Sequence, residues 1–141
     1  MERTIERSIW INAPRERVWQ AVTDPAQIEK WFAPGTAFSQ NGDVISIRID
    51  DADVDIALVE VFDPPRQLTT RSLSDRLITT TYRLEDENGG TRFTVIESGL
   101  EHLTEEDFRL RMQQDSHGWE LALQNLNAYI DGRPLPTPGG F

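Results

Sequence analysis

One stretch, Thr104 to Ile130, restricts the possible folds of this chain more than any other. It is the longest run that keeps a helical period. Phe108, Met112, Trp119, Leu123, Leu126 and Ile130 recur at steps of three, four or seven, which places them on one face. Thr104 with Asp107 three residues on reads as a capping-box start. Gly132 and Pro134 supply the stop. The apolar stripe is interrupted at one turn, which holds Asp115 and Ser116 and is followed by Gly118. Either the helix bends or is exposed there, or it passes over something other than packed side chains.

The preceding chain must supply what this helix covers. Ile5, Ile9 and Ile11 alternate with polar neighbours, the pattern of a strand with one buried face. Pro14 at a first helical position then opens a helix with Val18, Trp19 and Val22 on its apolar side. Asp24, Pro25 and Gln27 begin a second short helix as cap, first position and box partner; it ends in Trp31-Phe32, and Pro34-Gly35 break the chain. Five strands follow: Val44 to Ile49, Val54 to Phe62, Leu68 to Leu73, Leu77 to Leu84 and Arg92 to Ser98. Asp50 to Asp53, Asp63-Pro64-Pro65, Ser74-Asp75 and the hairpin signal Asn88-Gly89-Gly90 separate them. Short links imply an antiparallel sheet, wet on one side. The expectation is an α+β domain, residues 1–133. It has a curved six-stranded antiparallel sheet around the C-terminal helix and two short helices between strands 1 and 2. A loose Pro/Gly-rich tail, 134–141, follows. A sheet gripping one long helix need not close its core, so a cavity between them is a natural ligand site.

Several features together resemble a known family. They are the first strand running into Ala13-Pro14, Val18-Trp19, Thr23-Asp24-Pro25 and Trp31. Val61, Asp63-Pro64-Pro65, Leu68, Thr91, Ser98-Gly99, Gly118-Trp119, Leu123 and Leu126 continue the series. Over residues 3–131 this order is similar to the START-like helix-grip (SRPBCC) superfamily, and within it to relatives of the activator of heat-shock-protein ATPase. The resemblance implies the helix-grip fold. It leaves function open among ligand binders, cyclase-like enzymes and co-chaperones.

Strand alternation nominates the cavity residues. Phe93, Val95 and Glu97 share one face, as do Ile78, Thr80, Tyr82 and Leu84. Trp31, Phe32, Phe38, Met112, Trp119 and Leu123 close the space, which gives an apolar, aromatic pocket for a small hydrophobic molecule; each aromatic taken alone also reads as ordinary core. Glu97 stands out. A carboxylate beside an apolar cavity either finds a cation, with Arg71 as the candidate, or keeps its proton. It then serves as a ligand anchor or general base; otherwise it is a strand-end glutamate reaching solvent. His102 and His117 read as surface or boundary residues, with His117 turned inward only if the helix kinks at Gly118.

Other chemistries are disfavoured. Asp51, Asp53 and Asp55 resemble a calcium loop, but Ile56 and Phe62 stand where glycine and glutamate are required. There is no phosphate loop, nucleophile elbow or metal-spaced histidine cluster, so no cofactor and no metal is expected. A net charge of −10 argues against nucleic acid and anionic membranes. No leader pattern, membrane-length apolar run or cysteine is present, and a cytoplasmic monomer or homodimer fits. An exposed Trp10 or the first strand would serve a dimer. Three functions are carried forward: a small-molecule binder, an enzyme of the cyclase, dehydratase or hydrolase kind using Glu97, Arg71, Tyr82 and His117, and a co-chaperone-like domain.

Overall fold

The structure, a computed structural model, describes residues 3–32 and 36–139. The predicted break at Pro34-Gly35 lies outside the described residues. Element order is β1 (Ile5–Ile11), α1 (Arg15–Thr23), α2 (Pro25–Trp31), β2 (Phe38–Asn41), β3 (Val44–Ile49), β4 (Ala52–Asp63), β5 (Gln67–Ser72), β6 (Thr79–Glu87), β7 (Gly90–Ser98) and α3 (Glu105–Ile130). The strands form one open antiparallel sheet in the order β1-β7-β6-β5-β4-β3-β2. Among the described residues the sheet has seven strands where the sequence suggests six. The addition is β2, four residues with only Phe38 half-buried, and it exists because β3 offers it a free edge.

Local chemistry accounts for the element ends. Asp24 accepts from the Ala26 amide and caps α2, and Pro25 takes its first position. The Gln27 side chain does not complete a box; it donates to the Asp24 carboxylate, because the Asp24 amide is already used by Gln20 O at the end of α1. Pro14 sits one position earlier than expected, as the residue before Arg15 in extended conformation. Thr104 accepts from the Asp107 amide at the start of α3. At its other end Gly132 donates to Tyr129 O and Arg133 to Ala128 O, a Schellman closure. The Asp-rich turn is a tight hairpin with Asp50 and Asp51 at positive φ, and Asp53 and Asp55 engage Arg48 and Ser46 on the neighbouring strand.

The core lies between the sheet and the three helices. Ile11, Val18, Val22, Trp31, Leu84, Phe93, Val95, Leu123 and Leu126 are almost fully buried in it. The Trp31 indole donates to Ala21 O at 2.8 Å, so this bulky side chain is buried with its polar atom satisfied. A smaller cluster of Ile5, Ile78 and Leu100 holds the start of α3 through Phe108.

The described part of the tail, residues 134–139, is tied down and not loose. Leu135 packs against the main core. Asn125, fully buried on α3, donates to Trp31 O at 3.1 Å and Thr137 O at 2.8 Å and accepts from the Thr137 amide at 2.9 Å. One side chain thus ties α2, α3 and the tail together. Asn125→Ala should cost about 2 kcal/mol, because it strands buried backbone groups. In hydrogen exchange the Thr137 amide should lose protection before the sheet does. An unchanged urea midpoint would show that the tail bears no load.

Candidate functional site

A cavity of about 230 Å³ remains between the sheet and the helices. It exists because of side-chain size. The inner face of β4, β5 and β6 carries the short residues Ala57, Thr70 and Thr80, and α3 has Gly118 in the same region. The walls are Val22, Ile28, Val59, Leu68 and an aromatic set. Phe32 is the hub of that set: its ring centroid lies 5.5 Å from Trp31, 6.1 Å from Phe38 and 5.9 Å from Trp119. Tyr82 meets Trp119 edge-on at 6.1 Å and Phe93 at 5.4 Å. Phe62, largely exposed, stands beside Trp19 and also lines the cavity.

A wider groove of about 640 Å³ adjoins it. The two spaces share Phe32, Ala57, Thr70, Thr80 and Trp119 as walls. The groove adds the polar side of α3: Arg111, Gln114, Asp115 and Gly118, with Glu97 from β7 opposite. The interrupted turn of the helix therefore faces this groove. The helix runs unbroken from Glu105 to Ile130, so His117 stays exposed. Ser116 is buried, and its hydroxyl finds no hydrogen-bond partner among the described residues.

Glu97 is only 5% exposed, so it is not a strand-end residue reaching solvent. Its Oε1 accepts the Trp119 indole proton at 2.6 Å. Its Oε2 lies 3.6 Å from Arg111 Nη2, while Arg111 Nε binds Asp115 at 3.0 Å. Burial pushes the carboxyl up to about 7. The Trp119 hydrogen bond and Arg111 pull it down; Asp115 pushes it up, by its charge and by hydrogen bonding to the protonated form. Burial, and after it the charge of Glu97, raises the Tyr82 hydroxyl, which remains a donor.

The predicted residues divide into groups. Trp31, Phe32, Phe38, Thr80, Tyr82 and Trp119 line the cavity, and Ile78 and Glu97 line the groove. Phe93, Val95 and Leu123 are core beneath them. Met112 is 41% exposed and lines neither space. It falls between Phe108, which packs on the small cluster, and Trp119, which packs on the main core, and belongs to neither. Arg71 does not pair with Glu97. It aligns with Thr79, one residue out of phase with the inward Thr70–Thr80 pair, so it points outward and binds Glu60 at 2.9 Å. The enzyme set of Glu97, Arg71, Tyr82 and His117 therefore does not meet in one place. The cation beside Glu97 is Arg111, which sequence reasoning missed. Arg111, Asp115 and Trp119 at steps of four were the available signal. The described residues hold no group of three or more His, Asp or Glu placed to share a metal. No helix among them is long and apolar enough to cross a membrane.

An open antiparallel sheet packed on one long C-terminal helix, with a cavity left between, defines a helix-grip protein. The chain belongs to the activator of Hsp90 ATPase homolog 1-like family, whose model matches residues 12–131. Similar solved structures include the Aha1 dimer from Colwellia psychrerythraea, 20% identical, covering 91% of this chain and 96% of that one with a TM-score of 0.73. CalU16 from Micromonospora echinospora is 26% identical, covers 96% of this chain and 78% of that one, and has a TM-score of 0.69. DynU16, from the dynemicin biosynthetic locus, is 22% identical and covers 98% of this chain and 49% of that one with a TM-score of 0.73. Likeness at this level speaks to the fold. No protein of curated function matches the sequence.

Proposed function

We propose that this protein binds a small hydrophobic or aromatic molecule in the cavity between the sheet and the helices, where α1, α2 and Trp119 of α3 form the roof. The observation that carries the reading is an apolar space of about 230 Å³ set against a buried hydrophobic core. An empty apolar void lowers stability in proportion to its volume, and a ligand that fills it restores the missing contacts. A cavity of about 150 Å³ holds benzene, so this one suits roughly two fused rings. The edges of Trp119, Phe32 and Tyr82 supply the geometry that aromatic guests prefer. Naphthalene in equilibrium dialysis is the direct test. Ala57→Phe, which extends a ring into the cavity, should weaken its binding at least about tenfold without lowering Tm, as expected when void is exchanged for side chain. Absence of naphthalene binding, or equal binding by Ala57→Phe, would refute the reading.

A further inference from the structure

We propose that Glu97, with Arg111 and Asp115 beside it, anchors a basic amine, so that the site takes a ring-bearing apolar molecule with a cationic nitrogen at one end. This rests on the cavity being a ligand site, and it assigns the ligand's polar end.

The placement comes first. The groove opens off the apolar cavity through shared walls, and Glu97 lines the groove at 5% exposure. A guest whose rings fill the cavity would direct its substituent past Trp119 toward this carboxyl. One Glu97 oxygen is held by the indole, which fixes the side chain. The other has Arg111 at 3.6 Å, beyond hydrogen-bond distance, and Asp115 close enough to accept its proton when the carboxyl is protonated; a bound ammonium takes the place of that proton. The guanidinium is instead drawn to Asp115 at 3.0 Å.

The charge balance then selects the ligand. Two carboxyls face one guanidinium, so the ionised cluster has one negative charge in excess. An anionic guest would meet Asp115 and Glu97 as well as Arg111 and would be repelled. A cation completes the balance and makes a charge-assisted hydrogen bond in a site mostly shielded from water. The rings of Phe32, Tyr82 and Trp119 lie alongside, and their faces attract cations. The net charge of −10 concentrates cations around the molecule as a whole.

The groups bearing on Glu97 come from each neighbouring element. Arg111, Asp115 and the Trp119 indole come from α3, and the Tyr82 phenol comes from β6. The cross-strand partners Thr80 and Ile5 carry no charge. Because burial holds the Glu97 proton to about pH 7, an ammonium binding at lower pH must displace it. Amine affinity should therefore rise with pH up to about 7 and then level.

Naphthalene, 2-naphthylmethylamine and 2-naphthoate separate the possibilities by equilibrium dialysis. Near pH 8 the amine should bind about tenfold or more tighter than naphthalene, the usual scale of a charged hydrogen bond. That ratio should disappear near pH 5.5, where Glu97 is almost wholly protonated and the ammonium has no partner. Glu97→Gln should abolish both the ratio and its pH dependence; Asp115→Asn should reduce the ratio only in part. Tighter naphthoate, or an amine advantage that survives Glu97→Gln, overturns the assignment. Naphthalene binding without amine preference overturns it and leaves the cavity standing. Binding of none of the three overturns both.

Discussion

Gly99→Ala should lower stability by about 4 kcal/mol or more and Tm by roughly 15 °C, the largest single-residue loss expected in this chain. Gly99 has φ +82, and a Cβ there would stand 1.6 Å from Leu77 O. That atom belongs to backbone held between Asp75 and β6, so it cannot swing aside. Two costs therefore add: the left-handed conformation, about 1 kcal/mol for alanine, and the displacement of the hydrogen-bonded turn that leads into β6. Gly89→Ala separates them. Gly89 has φ +79 but open space around its Cβ, so only the first cost, about 1 kcal/mol, applies. Gly99 turns the chain out of β7 one residue after Ser98, and its position helps hold Glu97 beneath α3. Thermal melts of both variants check the prediction. A Gly99→Ala protein melting within a few degrees of Gly89→Ala would show that the Leu77 turn yields.

Glu97→Gln should stabilise the protein at alkaline pH and do little at acid pH. In the folded chain the carboxyl titrates at about 7, against an ordinary value of 4.5. Folding therefore takes up a proton between those limits. Below 4.5 both states are protonated and the full contribution is present. As pH rises through 7 the folded state must either keep a proton that the unfolded chain releases or ionise a buried group, and that stability is lost. A shift of this size corresponds to about 3 kcal/mol. Glutamine keeps an acceptor for the Trp119 indole and cannot ionise. The gap in Tm between the variant and the parent should be small near pH 5, widen through neutrality and level by about pH 8. The comparison cancels the titrating groups that do not interact with Glu97. A gap that stays constant or narrows with pH would mean that Glu97 is better solvated or better paired than its 5% exposure implies.

Much of the fold was legible because its signals are local. The period of α3, the Asp24 and Thr104 caps and the Asn88-Gly89 turn each rest on a few adjacent residues. What was not legible depends on distant partners. Phe38–Asn41 has no strand alternation and becomes β2 only by pairing with β3. The tail is held by an amide on α3 that reads in sequence as one more polar helix residue. The site shows the same division. Parity along β6 and β7 correctly brought Thr80, Tyr82 and Glu97 to one face. The same parity, shifted by one residue on β5, sends Arg71 to the other face. The cation beside Glu97 lies instead on α3: Arg111 stands one turn before the polar break at Asp115, and only the break interrupts the apolar period.

The reading stands or falls on the space between the sheet, α1, α2 and Trp119 being a binding site for an apolar ring system. Crystals soaked with 2-bromonaphthalene test it most directly, through the anomalous signal of the bromine. The account predicts a single strong peak inside the cavity bounded by Val22, Val59, Tyr82 and Trp119. Side chains closed over that space, with the bromine elsewhere or nowhere, would contradict it.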